Sequence, residues 1–184
     1  MRVVKDGRAW QVGGADEVAW LQGRPPGCTI ATAVPLCFDA YATVHRPDDV
    51  PVRWAEQALV ERLADVTADR SWWLGFLDTG AHDVVFPEAR KVELYWGWSY
   101  VLILAGPEQA LDWRTGHMRD GDGSLPDLLF PQDRSWVVSA LWDDTWTCVA
   151  GSKDLVAALE REPLLATHRV VPDVDVLPPG LVRD

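Results

Sequence analysis

Cysteine is scarce in this sequence. Cys28, Cys37 and Cys148 are scattered along 184 residues, which fits free thiols and not a disulfide framework. Cys37 and Cys148 fall within apolar, strand-like patterns and are expected to be buried and unpaired. Long apolar runs are lacking too. No stretch approaches the ~20 residues that a membrane-spanning helix needs, and the opening MRVVKDGRAW has no apolar core of the signal-peptide kind. The expectation is a cytoplasmic protein with no membrane association. Positive charge is also short: 17 Lys and Arg stand against 28 Asp and Glu, a formal net charge of −11. Nucleic acid is bound through a footprint of lysine and arginine on the phosphates, so a nucleic-acid partner is disfavoured, as is an anionic membrane surface. A basic protein partner is compatible with that charge.

Catalytic signatures are missing as well. There is no G-x-S-x-G elbow and no G-x-x-x-x-G-K-[ST] loop. Gly151-Ser152-Lys153 has the flavour of a phosphate loop without its glycine spacing, and a helix start accounts for it. His45, His82, His117 and His168 lie far apart and none stands at metal-ligand spacing from a cysteine. Asp120-Gly121-Asp122-Gly123-Ser124 starts like a calcium loop, but its sixth position is Leu125 and its twelfth is Pro131. No metal site and no cofactor are expected.

What the sequence has in abundance is apolar and aromatic surface. Its 48% hydrophobic content and eleven tryptophans exclude a disordered chain, and 184 residues suit one domain. That domain is expected over 1–171, with a proline-rich tail over 172–184. The chain is organised around residues 71–105. Trp72-Trp73-Leu74-Gly75-Phe76-Leu77 is apolar on both alternating faces, as a strand covered on both sides must be. From Lys91 a second extended run places Val92, Leu94, Trp96, Trp98, Tyr100, Leu102 and Leu104 on one face. A single strand of that length is unusual, so a bend or bulge is predicted near Gly97.

Around this centre the remaining segments follow in order. Residues 2–12 read as a hairpin turning at Asp6-Gly7. Asp16 is the predicted N-cap of a short helix carrying Val18, Trp20 and Leu21. Residues 29–34 look strand-like, and the strand resumes over 38–45, with Asp39, Tyr41, Thr43 and His45 on its wetter face. Residues 53–65 form the best helix, with Ala55, Leu59, Leu63 and Val66 inward. A proline-started helix follows over 109–114. Residues 135–150 read as a hairpin in which a three-residue loop sets Trp142 opposite Trp146, and Gly151-Ser152 caps a helix over 153–162. Residues 168–171 suggest a last strand. Hairpins with few helices between them predict an α+β fold with a mainly antiparallel sheet and three or four helices packed on it.

Two sets of candidate functional residues emerge. Tyr41, Asp78, His82, Trp96 and Trp98 lie at strand ends or on an aromatic platform that suits a small-molecule cleft, with Asp78 and His82 as an acid–base pair. Asp120, Asp122, Asp143 and Asp144 belong to a stretch, 119–144, that holds six aspartates and two arginines; carboxylates in loops can be presented to a partner. Five phrases resemble a family of uncharacterised actinobacterial proteins: AVPLCFDAYATV at 33–44, GFLDTG at 75–80, YVLILAGPE at 100–108, FPQDRSW at 130–136 and WTCVAGS at 146–152. That resemblance implies a cytoplasmic single-domain protein and brings no reaction or ligand. The leading expectation is a non-catalytic interaction module with an acidic face, of which an immunity or antitoxin-like role is one form. The rival is a small-molecule-binding protein or hydrolase with a Trp-lined cleft.

Overall fold

Alternation of period two and period 3.6 along the chain resolves into strands and helices much as those periods demand. The structure, a computed structural model, describes residues 1–22, 29–68, 70–78, 86–95, 97–113, 124–140, 146–175 and 177–179. Among them form β1 (Arg2–Lys5), β2 (Arg8–Val12), α1 (Ala15–Val18) running into a 3-10 turn at Ala19–Leu21, α2 (Ile30–Ala33), β3 (Ala40–His45) and α3 (Val52–Asp65). Next come β4 (Trp72–Leu77), β5 (Lys91–Leu94), β6 (Trp98–Ala105), α4 (Pro107–Asp112), β7 (Leu128–Pro131), β8 (Val137–Ser139), β9 (Thr147–Gly151), α5 (Lys153–Glu160) and β10 (Ala166–Arg169). The ten described strands make one sheet, nine of them in the order β1-β2-β6-β4-β7-β8-β9-β3-β10 and the tenth, β5, paired to β6. Each pairing in it is antiparallel. β2 pairs Leu104 and Ile103, and β5 pairs residues Trp98 to Val101, so the two share one edge of β6 while β4 takes the other.

The α+β class holds, with a larger sheet and more helices than expected. The added helix is α2, in the segment read as strand. A short apolar run shows no period, so burial alone could not decide its conformation. Here Ala33 N donates to Thr29 O at 3.1 Å and the Thr29 and Thr32 hydroxyls bond at 3.0 Å. Val34 is then extended, at φ −131° and ψ 148°, as a residue before proline prefers.

Trp72 to Leu77 are buried at every position, because the sheet is covered on both sides. On one side Ala55, Leu59 and Leu63 of α3, with Leu155 and Leu159 of α5, pack on Trp72, Leu74, Phe76, Val101 and Ile103. On the other, Val18, Leu21, Ile30 and Ala33 pack with Trp73, Leu77, Val92, Leu94, Tyr100, Leu102 and Phe130. Gly75 is required where β4 runs beside β7 in the sheet: it pairs with Leu128, and a Cβ there would lie 2.9 Å from Leu128 Cβ. Helix and sheet are tied by a buried relay: Trp136 Nε1 donates to Thr67 Oγ1 at 2.6 Å, and that hydroxyl donates to Leu63 O at 2.6 Å.

Several details correct the sequence expectations. The bend near Gly97 is a full reversal: Leu94 faces Trp98, Gly97 N donates to Leu94 O at 3.1 Å, and Tyr95 and Gly97 take φ of 54° and 80°. Those left-handed positions let three residues close an antiparallel pair. The first helix is capped at Gly14, whose N–H donates to Glu17 Oε2 at 2.7 Å, and not at Asp16. Val66 is 41% exposed, because α3 ends one residue before it. Cys37 is exposed and Cys148 buried, and neither is in a disulfide; Cys37 lies in the turn after Pro35, outside the apolar strand pattern. Thr43 is fully buried, so only Tyr41 and His45 keep the wetter face of β3 half-open. An unbroken hairpin with Trp142 across from Trp146 would set Ser139 against Val149, whereas Ser139 faces Cys148. Trp142 and Cys28 themselves lie outside the described residues. Pro172 and Pro178 are buried, and Val170 N donates to Tyr41 O at 3.1 Å. Among the described residues no helix is long and apolar enough to cross a membrane.

Candidate functional site

The helical phase of α3 decides which of its side chains meet the sheet. With Ala55, Leu59 and Leu63 turned inward, Trp54, Gln57, Glu61 and Asp65 recur at three, seven and eleven residues from Trp54 and share the outer face. Trp54 is 61% exposed. The other described tryptophans are all covered or half-covered: Trp72, Trp73, Trp113, Trp136 and Trp146 are buried, and Trp10, Trp20 and Trp98 intermediate. A large aromatic left in water is uncommon, and tryptophan is the residue type most enriched at the energetic centres of protein interfaces.

Around Trp54 exposed carboxylates outnumber the exposed Arg53 that precedes it. Asp48 and Asp49 are exposed where the chain enters α3, and Glu61 and Asp65 continue the outer stripe. Across α3, α4 and α5, which share this side of the sheet, seven carboxylates stand against three cations. Arg62 is engaged by Asp65 at 3.0 Å and Glu162 at 3.6 Å. Glu56 turns inward and accepts the Leu125 N–H at 3.1 Å. The result is one exposed aromatic on an acidic helical face.

The residues singled out from sequence are distributed differently. Asp78 forms an ion pair with Lys91 at 2.9 Å, while its N–H donates to Ser99 O at 2.8 Å. Trp98 packs on the second core cluster and meets Tyr95 edge-on, with ring centroids 6.3 Å apart. Tyr41 accepts the Phe38 N–H on its hydroxyl at 2.9 Å. Strands β4, β7, β8 and β9 intervene between β6 and β3, a separation of roughly 24 Å across the sheet at about 4.8 Å per strand, so Tyr41 and Trp98 are not brought together. His82, Trp96, Asp120, Asp122, Asp143 and Asp144 lie outside the described residues. Asp127 and Asp133, from the same acidic stretch, bond to the backbone: Asp127 accepts Leu77 N–H of β4 at 2.9 Å and Asp133 accepts Ser135 N–H at 2.9 Å.

No family model, curated protein or solved structure matches the chain.

Two further places on the molecule bear on function. A cleft of about 480 Å³ opens beside Tyr41, between Leu36, Phe38, Lys153, Arg169 and Val171. Under the β5–β6 turn a polar cluster is enclosed, in which the Tyr95 and Ser139 hydroxyls bond at 2.6 Å. Beside it the Tyr100 phenol is pushed far up by burial, then by Tyr95 and Asp127, which keeps it protonated and unsuited to act as a base. On β3, His45 is held below its ordinary value by burial and, secondarily, by the charge of His168. Two features escaped the sequence reading. Trp54 was detectable, because the phase that turns Leu59 inward turns Trp54 outward. The approach of His45 to His168 was not, because it depends on which strands pair.

Proposed function

We propose that the protein is a non-catalytic interaction module that engages a basic protein partner through the outer face of α3. The observation that carries this reading is Trp54, exposed on an acidic helix face in a chain of net charge −11. A solvent-facing tryptophan supplies apolar contact area in the middle of an interface. The carboxylates around it supply long-range attraction, sign selectivity and a fast encounter. Asp120, Asp122, Asp143 and Asp144, which lie outside the described residues, are part of the same proposal, as is the expectation that nucleic acid is not the partner. An immunity or antitoxin-like role is the specific form we favour, and kinship with the actinobacterial family is part of the proposal without adding a reaction to it.

The test is affinity capture on the immobilised chain across a salt series, comparing wild type with Trp54→Ala and with a set neutralising Asp48, Asp49, Glu61 and Asp65. Basic proteins recovered by wild type should be lost about 30-fold or more in Trp54→Ala, the scale of an interface centre. The neutralised set should flatten the salt dependence. Equal recovery by all three chains would refute the α3 face as the interaction surface. A second reading rests on the cleft beside Tyr41, whose volume falls in the range of small-molecule sites. It would be favoured if a ligand from a metabolite screen were lost on Tyr41→Ala while Trp54→Ala kept it.

A further inference from the structure

Strands β3 and β10 are antiparallel neighbours in which Thr43 faces His168 and His45 faces Ala166. His45 and His168 are therefore diagonal neighbours on one face of the sheet, with ring centroids 6.1 Å apart and ring planes at 65°. His45 is half-exposed and His168 exposed, so a solute can reach both. Among the described residues neither imidazole has a hydrogen-bond or ion-pair partner. We propose that His45 and His168 chelate a divalent transition-metal ion of the zinc, nickel and copper class.

The spacing suits a bridging ion. A metal–nitrogen distance of about 2.0–2.1 Å, added to about 1.1 Å from nitrogen to ring centre, lets two imidazoles on one ion lie up to about 6.4 Å apart. The observed 6.1 Å falls inside that limit, and a small rotation of either side chain closes it to the tetrahedral value of about 5 Å. Imidazole is a preferred ligand of this class of ions. A second observation lies beside the pair. Thr43 Oγ1 is buried and has no hydrogen-bond partner, yet Thr43 sits directly across from His168. A ligating histidine presents its other ring N–H to an oxygen acceptor, which fixes the tautomer and orients the ring. Thr43 is placed to be that acceptor. No third His, Cys, Asp or Glu joins the pair among the described residues, so the remaining coordination positions fall to water or to an incoming ligand.

The experiment is calorimetric titration of the full chain with zinc chloride near neutral pH. A Cys28→Ser, Cys37→Ser background removes competing thiols, and Cu²⁺ electron paramagnetic resonance reports the number of coordinating nitrogens. Wild type should take one zinc per chain and show two imidazole nitrogens on copper. His45→Ala and His168→Ala should each weaken zinc binding at least tenfold, and Thr43→Val by 10- to 100-fold, the usual loss when an outer-shell partner is removed. His168 is exposed on the edge strand, so His168→Ala keeps the fold and remains interpretable even if His45→Ala does not. No zinc uptake by wild type, or undiminished uptake in His168→Ala, would overturn the proposal.

Discussion

Replacing Thr67 by valine should test whether the relay between α3 and the sheet is a true coupling. The Trp136 indole is 1% exposed and meets Trp72 edge-on, with centroids 4.8 Å apart at 85°. Its Nε1–H has Thr67 Oγ1 as acceptor at 2.6 Å, and the hydroxyl passes its own proton to Leu63 O at 2.6 Å. Valine keeps the volume and removes the acceptor, leaving a buried N–H unpaired, for which a cost of about 1–3 kcal/mol is expected. Trp136→Phe removes the donor and part of the packing and should cost at least as much. Once the indole is gone the Thr67 hydroxyl has lost one of its two partners. The double variant should therefore be less destabilised than the sum of the single ones, by about 0.5–3 kcal/mol. Urea unfolding followed by far-ultraviolet circular dichroism gives all three values, provided the slope with denaturant is unchanged. Strict additivity, or a Thr67→Val midpoint equal to wild type, would refute the claim that this bond holds α3 to the sheet.

Two other outcomes follow from the same structure. A thiol reagent should modify Cys37 rapidly in the native protein while Cys148, which is 1% exposed, reacts only on unfolding; fast labelling of Cys148 would contradict its burial between β8 and β3. Folding should also weaken in acid through His45. Its folded value is depressed below the ordinary 6.5 by burial and by His168, so the unfolded chain binds the proton more readily. The stabilisation is thus complete above about pH 6.5 and is lost as pH falls through the depressed value. Metal-free His45→Gln should show a flatter melting temperature between pH 7 and 5 than wild type, and an identical profile would remove His45 from the pH response.

How much was visible beforehand follows the range of each interaction. Residues 72–77 announced a strand covered on both faces, because every side chain in WWLGFL is apolar and both sheet faces needed filling. The stripe of Ala55, Leu59 and Leu63 likewise marked α3. Such features are written within one turn or one strand. The reversal at Tyr95 to Gly97 was half-seen, because glycine marks a break but does not say whether the chain bends or returns. Segment 29–34 was misassigned because Thr29, Ile30 and Thr32 have strand propensities, which a site demanding one short apolar turn overrides. Tyr41 and Trp98 were grouped by residue type, and sheet order then set them on β3 and β6 with four strands between.

That order also explains why the histidine pair was invisible and why it is separable from the α3 face. β3 is third among the strands in the chain, yet its neighbours in the sheet are β9 and β10, so its contacts are made with the last strands to be reached. No local pattern could announce them. On β3, Val44 points with Val149 into the cluster beneath α3 and α5. Thr43 faces Cys148, which belongs to the opposite cluster. By the period of two, His45 shares the side of Thr43. The pair His45–His168 and the Trp54 surface therefore lie on opposite sides of one sheet. Substitutions at sites that far apart, with no shared partners, act additively. Each set of variants can thus serve as the folded control for the other: Trp54→Ala should still bind zinc, and His168→Ala should still recover the basic partner. Loss of both activities in either variant would point to unfolding and not to the site that was changed.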